Sequence, residues 1–392
     1  MLFNVSMLPL YIIYFLFIVA GIFSIGKTEN TYYYISTLLG FSSVYAIIIM
    51  KGEYRKLLTY KVNVLFLFFI LCLTFSSLFY SKEPIAFFMI YVFISSVVYF
   101  KYFKINTEKL IGFLNITYLL YFILSLFAYF DFIITYAENV RSFTRDFGVI
   151  TFNSLKGFEG STANIDSYSA IILLVNIFLN KKNTKILFIA ISLFALLWTT
   201  RFTPLVGMFL SIFVFYIVKN RYTALFFLCL IFFGFFAAVY IEIYYPDNYF
   251  FINDVSNKSL FHTATHGRTH IWSEQFINIF RNFSFYDVLF GNREYAEVEI
   301  FWSNGFTSNP HNSFLYLFFT SGLIGIIMIV YFIVMIFKTF DRNTFPIIYI
   351  IIISATTNGI IFYVGNPIYL ILMIYLTHYY KEQKVLRKFG TT

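Results

Sequence analysis

The chain has little charge. Of its 392 residues 12% are Asp, Glu, Lys or Arg and 60% are hydrophobic, whereas a soluble domain carries about 25% charged residues. That deficit excludes an ordinary soluble globule. Apolar runs long enough to cross a bilayer, about 20 residues each, take the place of the missing charge. The runs do not alternate apolar and polar residues, which excludes a transmembrane barrel. Helices remain, because lipid leaves no backbone group unpaired. Cysteine is also scarce. Cys72 and Cys229 both sit in apolar runs and are expected to be free, buried thiols that say nothing about redox compartment. No basic stretch precedes the first apolar run, Leu8 to Ile25, and no small-residue cleavage site follows it. A retained first helix is expected there rather than a signal peptide.

What is present is a series of apolar segments separated by short charged ones. Twelve spans are expected, near 7–25, 32–50, 62–80, 84–101, 110–130, 164–180, 186–200, 203–218, 222–244, 311–337, 345–361 and 364–380. The fold class is therefore all-α, a polytopic integral membrane protein of about twelve transmembrane helices. The net charge of +9 does not point to nucleic acid, because most of the 28 basic residues fall in alternate connections. Those connections carry Lys51, Arg55, Lys56 and Lys61, then Lys101, Lys104 and Lys109, then Lys181, Lys182 and Lys185, then Lys219 and Arg221, then Lys338 and Arg342, and finally the tail from Lys381 to Lys388. The other connections hold most of the 19 acids. By the positive-inside rule the basic set is cytoplasmic, with both termini. The organisation is then 1–130 N-terminal spans, 131–163 a first outer loop, 164–244 central spans, 245–310 a large outer loop, and 311–392 C-terminal spans and tail.

The large loop holds most of the polar chemistry. Four of the five histidines, His262, His266, His270 and His311, lie in it or at its edge. In GRTHIWSEQFINIF the apolar residues Ile271, Trp272, Phe276, Ile279 and Phe280 have helical spacing. A surface amphipathic helix along the outer membrane face is expected, with Arg268 in its first turn. His262, His266 and His270 are spaced by four, compatible with a metal site or a solvated face. Gly267 interrupts the segment and no acid completes a ligand set, so no metal is expected. Arg201, in LWTTRFTPLVG, has no charged neighbour in the flanking apolar runs. It either snorkels to the interface or grips a phosphate there with its guanidinium fork. The first outer loop carries Arg141, Arg145 and Lys156, and ends in GFEGSTANIDSYS. That run either caps the next helix at Ser161, Thr162 or Asn164 or forms an anion site at its N-terminus. His311 follows Pro310 and opens a span, as a general base near neutral pH or an interfacial cap. Gly322 and Gly325 suggest close helix packing.

Four features recur in one order: a small polar run with Asn164, the turn Thr199-Thr200-Arg201, the GR-x-x-x-W segment Gly267, Arg268 and Trp272, and HN-x-x-L at His311, Asn312 and Leu315 running into Gly322 and Gly325. This order, over roughly residues 140 to 340, resembles the O-antigen polymerase and O-antigen ligase superfamily of bacterial envelope proteins. The resemblance implies an inner-membrane glycosyltransferase with its active site facing the periplasm. It implies a donor glycan on undecaprenyl diphosphate, transfer to a sugar hydroxyl, no metal and no other cofactor. A polysaccharide chain-length regulator is an implied partner; membrane lipid is another, and nucleic acid is not. Arg201 and Arg268, with Arg145 as a third, are then expected to hold the diphosphate, and arginines can replace a metal as the electrophilic clamp. His311 is the expected base, and direct displacement would invert the anomeric centre. Trp272 and Asn312 are candidates for binding sugar, as is Trp302; the alternative for both tryptophans is an interfacial anchor.

Ser308, Asn309 and Pro310 precede the HN pair, where ligases often carry an extra histidine. Polymerase is therefore preferred over ligase joining the glycan to lipid A-core. A flippase for the same lipid-linked sugar is a third reading. It would show internal repeats and broken helices at the midplane, and no repeat relates the two halves.

Overall fold

The fold is seen in a computed structural model of the chain. The structure describes residues 8–23, 31–52, 107–130, 144–146, 151–153, 155, 162–199, 202–244, 252–253, 258–259, 268–292, 295, 298–299, 307–308, 312–338 and 342–358. Helices carry it: α1 (Leu8–Phe23), α2 (Thr31–Met50), α3 (Thr107–Tyr129), α4 (Thr162–Phe178), α5 (Lys185–Trp198), α6 (Phe202–Ile217), α7 (Arg221–Tyr244), α8 (Arg268–Asn282), α9 (Phe285–Phe290), α10 (Ser313–Lys338) and α11 (Phe345–Asn358). Three short antiparallel ribbons lie in the connections. They pair β1 (Thr144–Asp146) with β2 (Thr151–Asn153), β3 (Ile252–Asn253) with β4 (Lys258–Ser259), and β5 (Val298–Glu299) with β6 (Thr307–Ser308). They add to the all-helical expectation without changing the class.

The expected spans at 62–80, 84–101 and 364–380 lie outside the described residues. Among the described residues two helical stretches, Glu108–Tyr129 and Arg221–Tyr244, are long and apolar enough to cross a membrane. α5 and α11 have 14 residues each, about 21 Å at 1.5 Å per residue, against a hydrocarbon core of about 30 Å. The expected limits of these helices were close, but their length alone does not make each a full span.

Two helices are central. Every described side chain from Ile165 to Asn176 on α4 is buried, as is every residue from Thr344 to Thr356 around α11. A helix that is apolar on all faces belongs inside, and Ile347 to Ile353 of α11 meets that condition with one tyrosine. α7 is peripheral and turns Phe226, Phe233, Phe236, Tyr240 and Tyr244 outward. Cys229 lies on it and is exposed, not buried as expected; the apolar run around it faces outward instead of into the bundle.

Polar ties fix how the helices meet. Asn115 on α3 and Asn176 on α4 exchange amide hydrogen bonds of 2.9 and 2.8 Å. Asn180 donates to Asn176 at 2.7 Å. Tyr118 and Ser169 share a hydroxyl hydrogen bond of 2.8 Å, and Tyr14 on α1 donates to the Thr117 carbonyl. In an apolar surround such bonds specify register, because a slipped helix would leave amides unpaired.

These contacts give the bundle two distinct ends. At one end α6 finishes beside the start of α11: Arg342 donates from Nε to the Phe215 carbonyl at 3.1 Å and lies 4.7 Å over its ring. Phe178, at the end of α4, packs on Phe215 with centroids 4.4 Å apart. Lys181, Lys182, Lys185, Lys219, Arg221 and Arg342 all belong to this end, and all but half-buried Lys185 are exposed. At the other end Asn312 donates to the Thr356 carbonyl at 2.9 Å, tying the head of α10 to the tail of α11. The Leu155 amide donates to the Trp198 carbonyl at the tail of α5 at 3.3 Å, and Trp198 meets Tyr129 of α3 with centroids 5.0 Å apart. The partition of bases read from the sequence is thus also a partition in space.

α10 departs from expectation. A continuous span was expected over 311–337, but Gly322 breaks it with φ 60° and ψ −155°. That region is open essentially to glycine alone. What approaches Gly322 is not another span but α9 of the loop. A Cβ on Gly322 would overlap the Leu289 carbonyl and come within 2.5 Å of the Phe290 amide nitrogen. Gly325, also expected to serve packing between helices, instead faces Leu317 and Ser321 of its own helix.

Candidate active site

The non-basic end of the bundle gathers the polar side chains. The head of α4 places Asp166, Ser167, Tyr168 and Ser169 there, all fully buried. α5 ends at Thr199, whose hydroxyl donates back to the Leu196 carbonyl at 2.8 Å. α8 brings Arg268, and α10 begins at Asn312 and Ser313, both buried. α11 ends nearby with Thr356, whose carbonyl Asn312 holds.

Arg268 is the first residue of α8 and is half-buried. A cation there is placed against the helix dipole, whose N-terminal end is positive. The positive end of the helix dipole and the guanidinium favour the same kind of ligand, an anion. The other end of α8 carries Arg281, where the dipole favours it. α8 has the amphipathic pattern expected from the sequence, and part of its apolar face packs on α7. Trp272 packs edge-on against Phe235 of α7 with centroids 5.0 Å apart, and Phe276 meets both Phe235 and Phe236. Val239, Trp272 and Leu315 form a small core that joins α7, α8 and α10. Only Phe280, 82% exposed, continues that face beyond the protein.

This packing gives two of the expected sugar contacts structural partners. Trp272 is 5% exposed and its ring fills the small core with Val239 and Leu315. Asn312 is 1% exposed. Its Oδ1 accepts from the Phe314 and Leu315 amides at 2.9 and 3.1 Å, which makes it the N-cap of α10. Its amide reaches the Thr356 carbonyl. Asn312 serves the backbone, and its motif partner Leu315 belongs to the Trp272 core.

His311 and Arg201 lie outside the described residues, as do Trp302, His262 and His266. In the sequence, His311 precedes the cap Asn312, and Thr200 and Arg201 lie between Thr199 and the first residue of α6, Phe202. Arg145 falls in β1, paired with Phe152. Asn164 lies inside α4, which starts at Thr162, two residues before its expected limit. The structure thus brings Arg268, Asn312 and Trp272 to one end of the bundle.

Asp166 was missed. Its Oδ1 accepts from Ser167 at 3.1 Å, and it is the one carboxylate among the described residues of α4. The signal was present, since an acid inside an apolar run is costly without a role. It was passed over as part of a helix-capping run. Among the described residues no group of histidine, cysteine and acid side chains could hold a metal.

A helical protein with apolar spans, one basic end and one polar end that holds arginine, carboxylate and a capped helix head has the build of a membrane protein, with the polar end as its candidate site. Residues 168–330 match the sequence model of the O-antigen ligase family. Over that stretch, which runs from within α4 to within α10, the chain is similar to O-antigen ligases. No curated protein and no solved structure matches the chain.

Proposed function

We propose that the protein polymerises a surface polysaccharide, transferring glycan from undecaprenyl diphosphate to a sugar hydroxyl of another lipid-linked repeat unit. The observation that carries this reading is the family match over 168–330, together with the polar end that those residues build. The bundle faces the periplasm with this end, in the inner membrane, and the basic end faces the cytoplasm.

The chemistry follows from the residue types. The acceptor oxygen attacks the anomeric carbon, and the bond from that carbon to the diphosphate oxygen breaks. The acceptor proton passes to the His311 imidazole, which suits a base working near neutral pH. The undecaprenyl diphosphate leaves with the bonding pair. Arg268 and Arg201, with Arg145 as a third, stabilise that charge through fixed guanidinium forks. No metal is needed in this scheme.

A deletion strain examined on a lipopolysaccharide gel tests the reading. Loss of a polymerase leaves core bearing one repeat unit. Complementation with His311→Ala, Arg268→Ala or Arg201→Ala, each still reaching the membrane, leaves that pattern unchanged. Normal polymer from His311→Ala would remove the base from the scheme. The second reading is ligase, favoured by the description of the matching family; its deletion leaves bare core.

A further inference from the structure

The α8–α9 segment is seated along the first half of α10 at three successive points. Trp272 of α8 packs with Leu315. Phe283, between α8 and α9, stacks on Phe318 at 5.9 Å and 9° and meets Phe319 edge-on at 5.5 Å. Gly291, at the end of α9 with φ 85°, lies over the break in α10: a Cβ there would stand 2.6 Å from the Phe319 carbonyl oxygen and the Ser321 amide, and 2.8 Å from that of Gly322. Two glycines face each other across this contact, each in a conformation that a side chain rarely adopts. Backbone meets backbone because neither has a Cβ.

The half-helix from Ser313 to Ser321 is thereby fixed at both ends. Asn312 caps its head and holds it to the last turn of α11. Gly322 ends it where α9 is seated. We propose that Asn312, Gly291 and Gly322 are positioning residues, which make this half-helix and the α8–α9 segment one rigid unit with Arg268 at its edge. The break in α10 is then the seat that sets where the loop's arginine stands relative to the head of α10. The catalytic part of this inference rests on the proposed glycosyl transfer; the rigid unit does not.

The two parts are tested separately. In the full-length protein carrying Cys72→Ser and Cys229→Ser, a thiol is introduced by Ser321→Cys, at a site 1% exposed with its backbone beneath Gly291. It resists a membrane-impermeant maleimide while α9 is seated. Adding Gly322→Ala or Gly291→Ala unseats α9 and raises the labelling rate at least about ten-fold, the scale on which a local opening becomes visible. Gly234→Ala on α7, where a new Cβ meets nothing within 4 Å, leaves the rate unchanged. Phe283→Leu, which removes only the ring stack, is the second variant if the glycine variants fail to reach the membrane, and it raises the rate in the same direction.

Purified enzyme elongating lipid-linked repeat units gives the other readout. Gly322→Ala and Asn312→Ser lower kcat at least about ten-fold with KM within about three-fold, as expected when groups are misplaced and not lost. Asn312→Ser keeps a capping oxygen but cannot reach Thr356. Unchanged labelling in every seat variant overturns the rigid unit. Fast labelling with undiminished kcat overturns the positioning role. Wild-type protein inert on lipid-linked repeat units, with labelling as expected, removes the proposed reaction and leaves the seat standing.

Discussion

At the scale of single residues, the informative side chains are polar ones buried among apolar neighbours. Asn115 and Asn176 exchange two hydrogen bonds, and Asn176 also donates to the Ile172 carbonyl and accepts from Asn180. Asn115→Leu is expected to destabilise the protein by about 0.5–1.5 kcal/mol, the range for interhelical hydrogen bonds in membrane proteins. The double variant Asn115→Leu/Asn176→Leu is expected to cost less than the sum of the two single losses, because the bonds the pair exchanges are counted twice in that sum. Thermal unfolding of the detergent-solubilised protein measures both; a double variant that simply summed the two single losses would contradict the pairing. Asn312 teaches a different lesson. The pair HN looked like a binding motif, and half of it is a helix cap. A motif in the sequence records that a residue type is needed without recording whether ligand or backbone needs it.

At the scale of elements, α9 is short and would not persist alone, since six residues are far below the length at which an isolated helix is stable in water. Its N-terminus is closed by a capping box. The Asp287 amide donates to Ser284 Oγ at 3.2 Å, and the Ser284 amide donates to Asp287 Oδ2 at 2.7 Å. Asn292 then donates to Asp287 Oδ1 at 3.0 Å, closing the far side of the same turn. Ser284→Ala removes one capping hydrogen bond and costs about 1 kcal/mol. The cost falls on a segment held by three contacts, so it appears as faster amide hydrogen exchange at Phe285–Phe290, with the spans unaffected. Exchange that rose equally in α4 and α11 would mean that α9 is part of the global unfolding unit.

Helix limits were legible in the sequence to within two or three residues for the described spans, because each is a local switch from apolar to charged residues. The break in α10 was not legible. Gly322 and Gly325 are alike in sequence, yet one meets α9 and the other its own helix. Nothing near residue 322 announces that residues 289–291 will arrive there.

At the scale of the whole molecule, the proposed orientation in a bilayer rests on the separation of basic and polar ends among the described residues. In a background without Cys72 and Cys229, Lys182→Cys and Ser284→Cys place exposed thiols at opposite ends. The second is expected to react with an impermeant maleimide applied to the periplasmic side, and the first only after the inner membrane is opened. The reverse pattern would invert the assignment of the faces and move the site to the cytoplasm. Of the candidate site, the helix that Arg268 opens was legible from its apolar spacing. The burial of Asp166 was not, because only the tertiary packing shows that the head of α4 is buried and not a solvated entry to a helix.

The sequence by itself determined the helical class, the approximate limits of the helices and the division of charge. These depend on how each short stretch partitions between water and lipid, a property of local composition. Only the tertiary structure decided that Trp272 fills a core, that Asn312 caps and ties two helices, and that a loop helix seats on a glycine break in α10. Those outcomes depend on which surfaces meet across long chain separations, and the free energy of such contacts belongs to the pair and is carried by neither stretch alone.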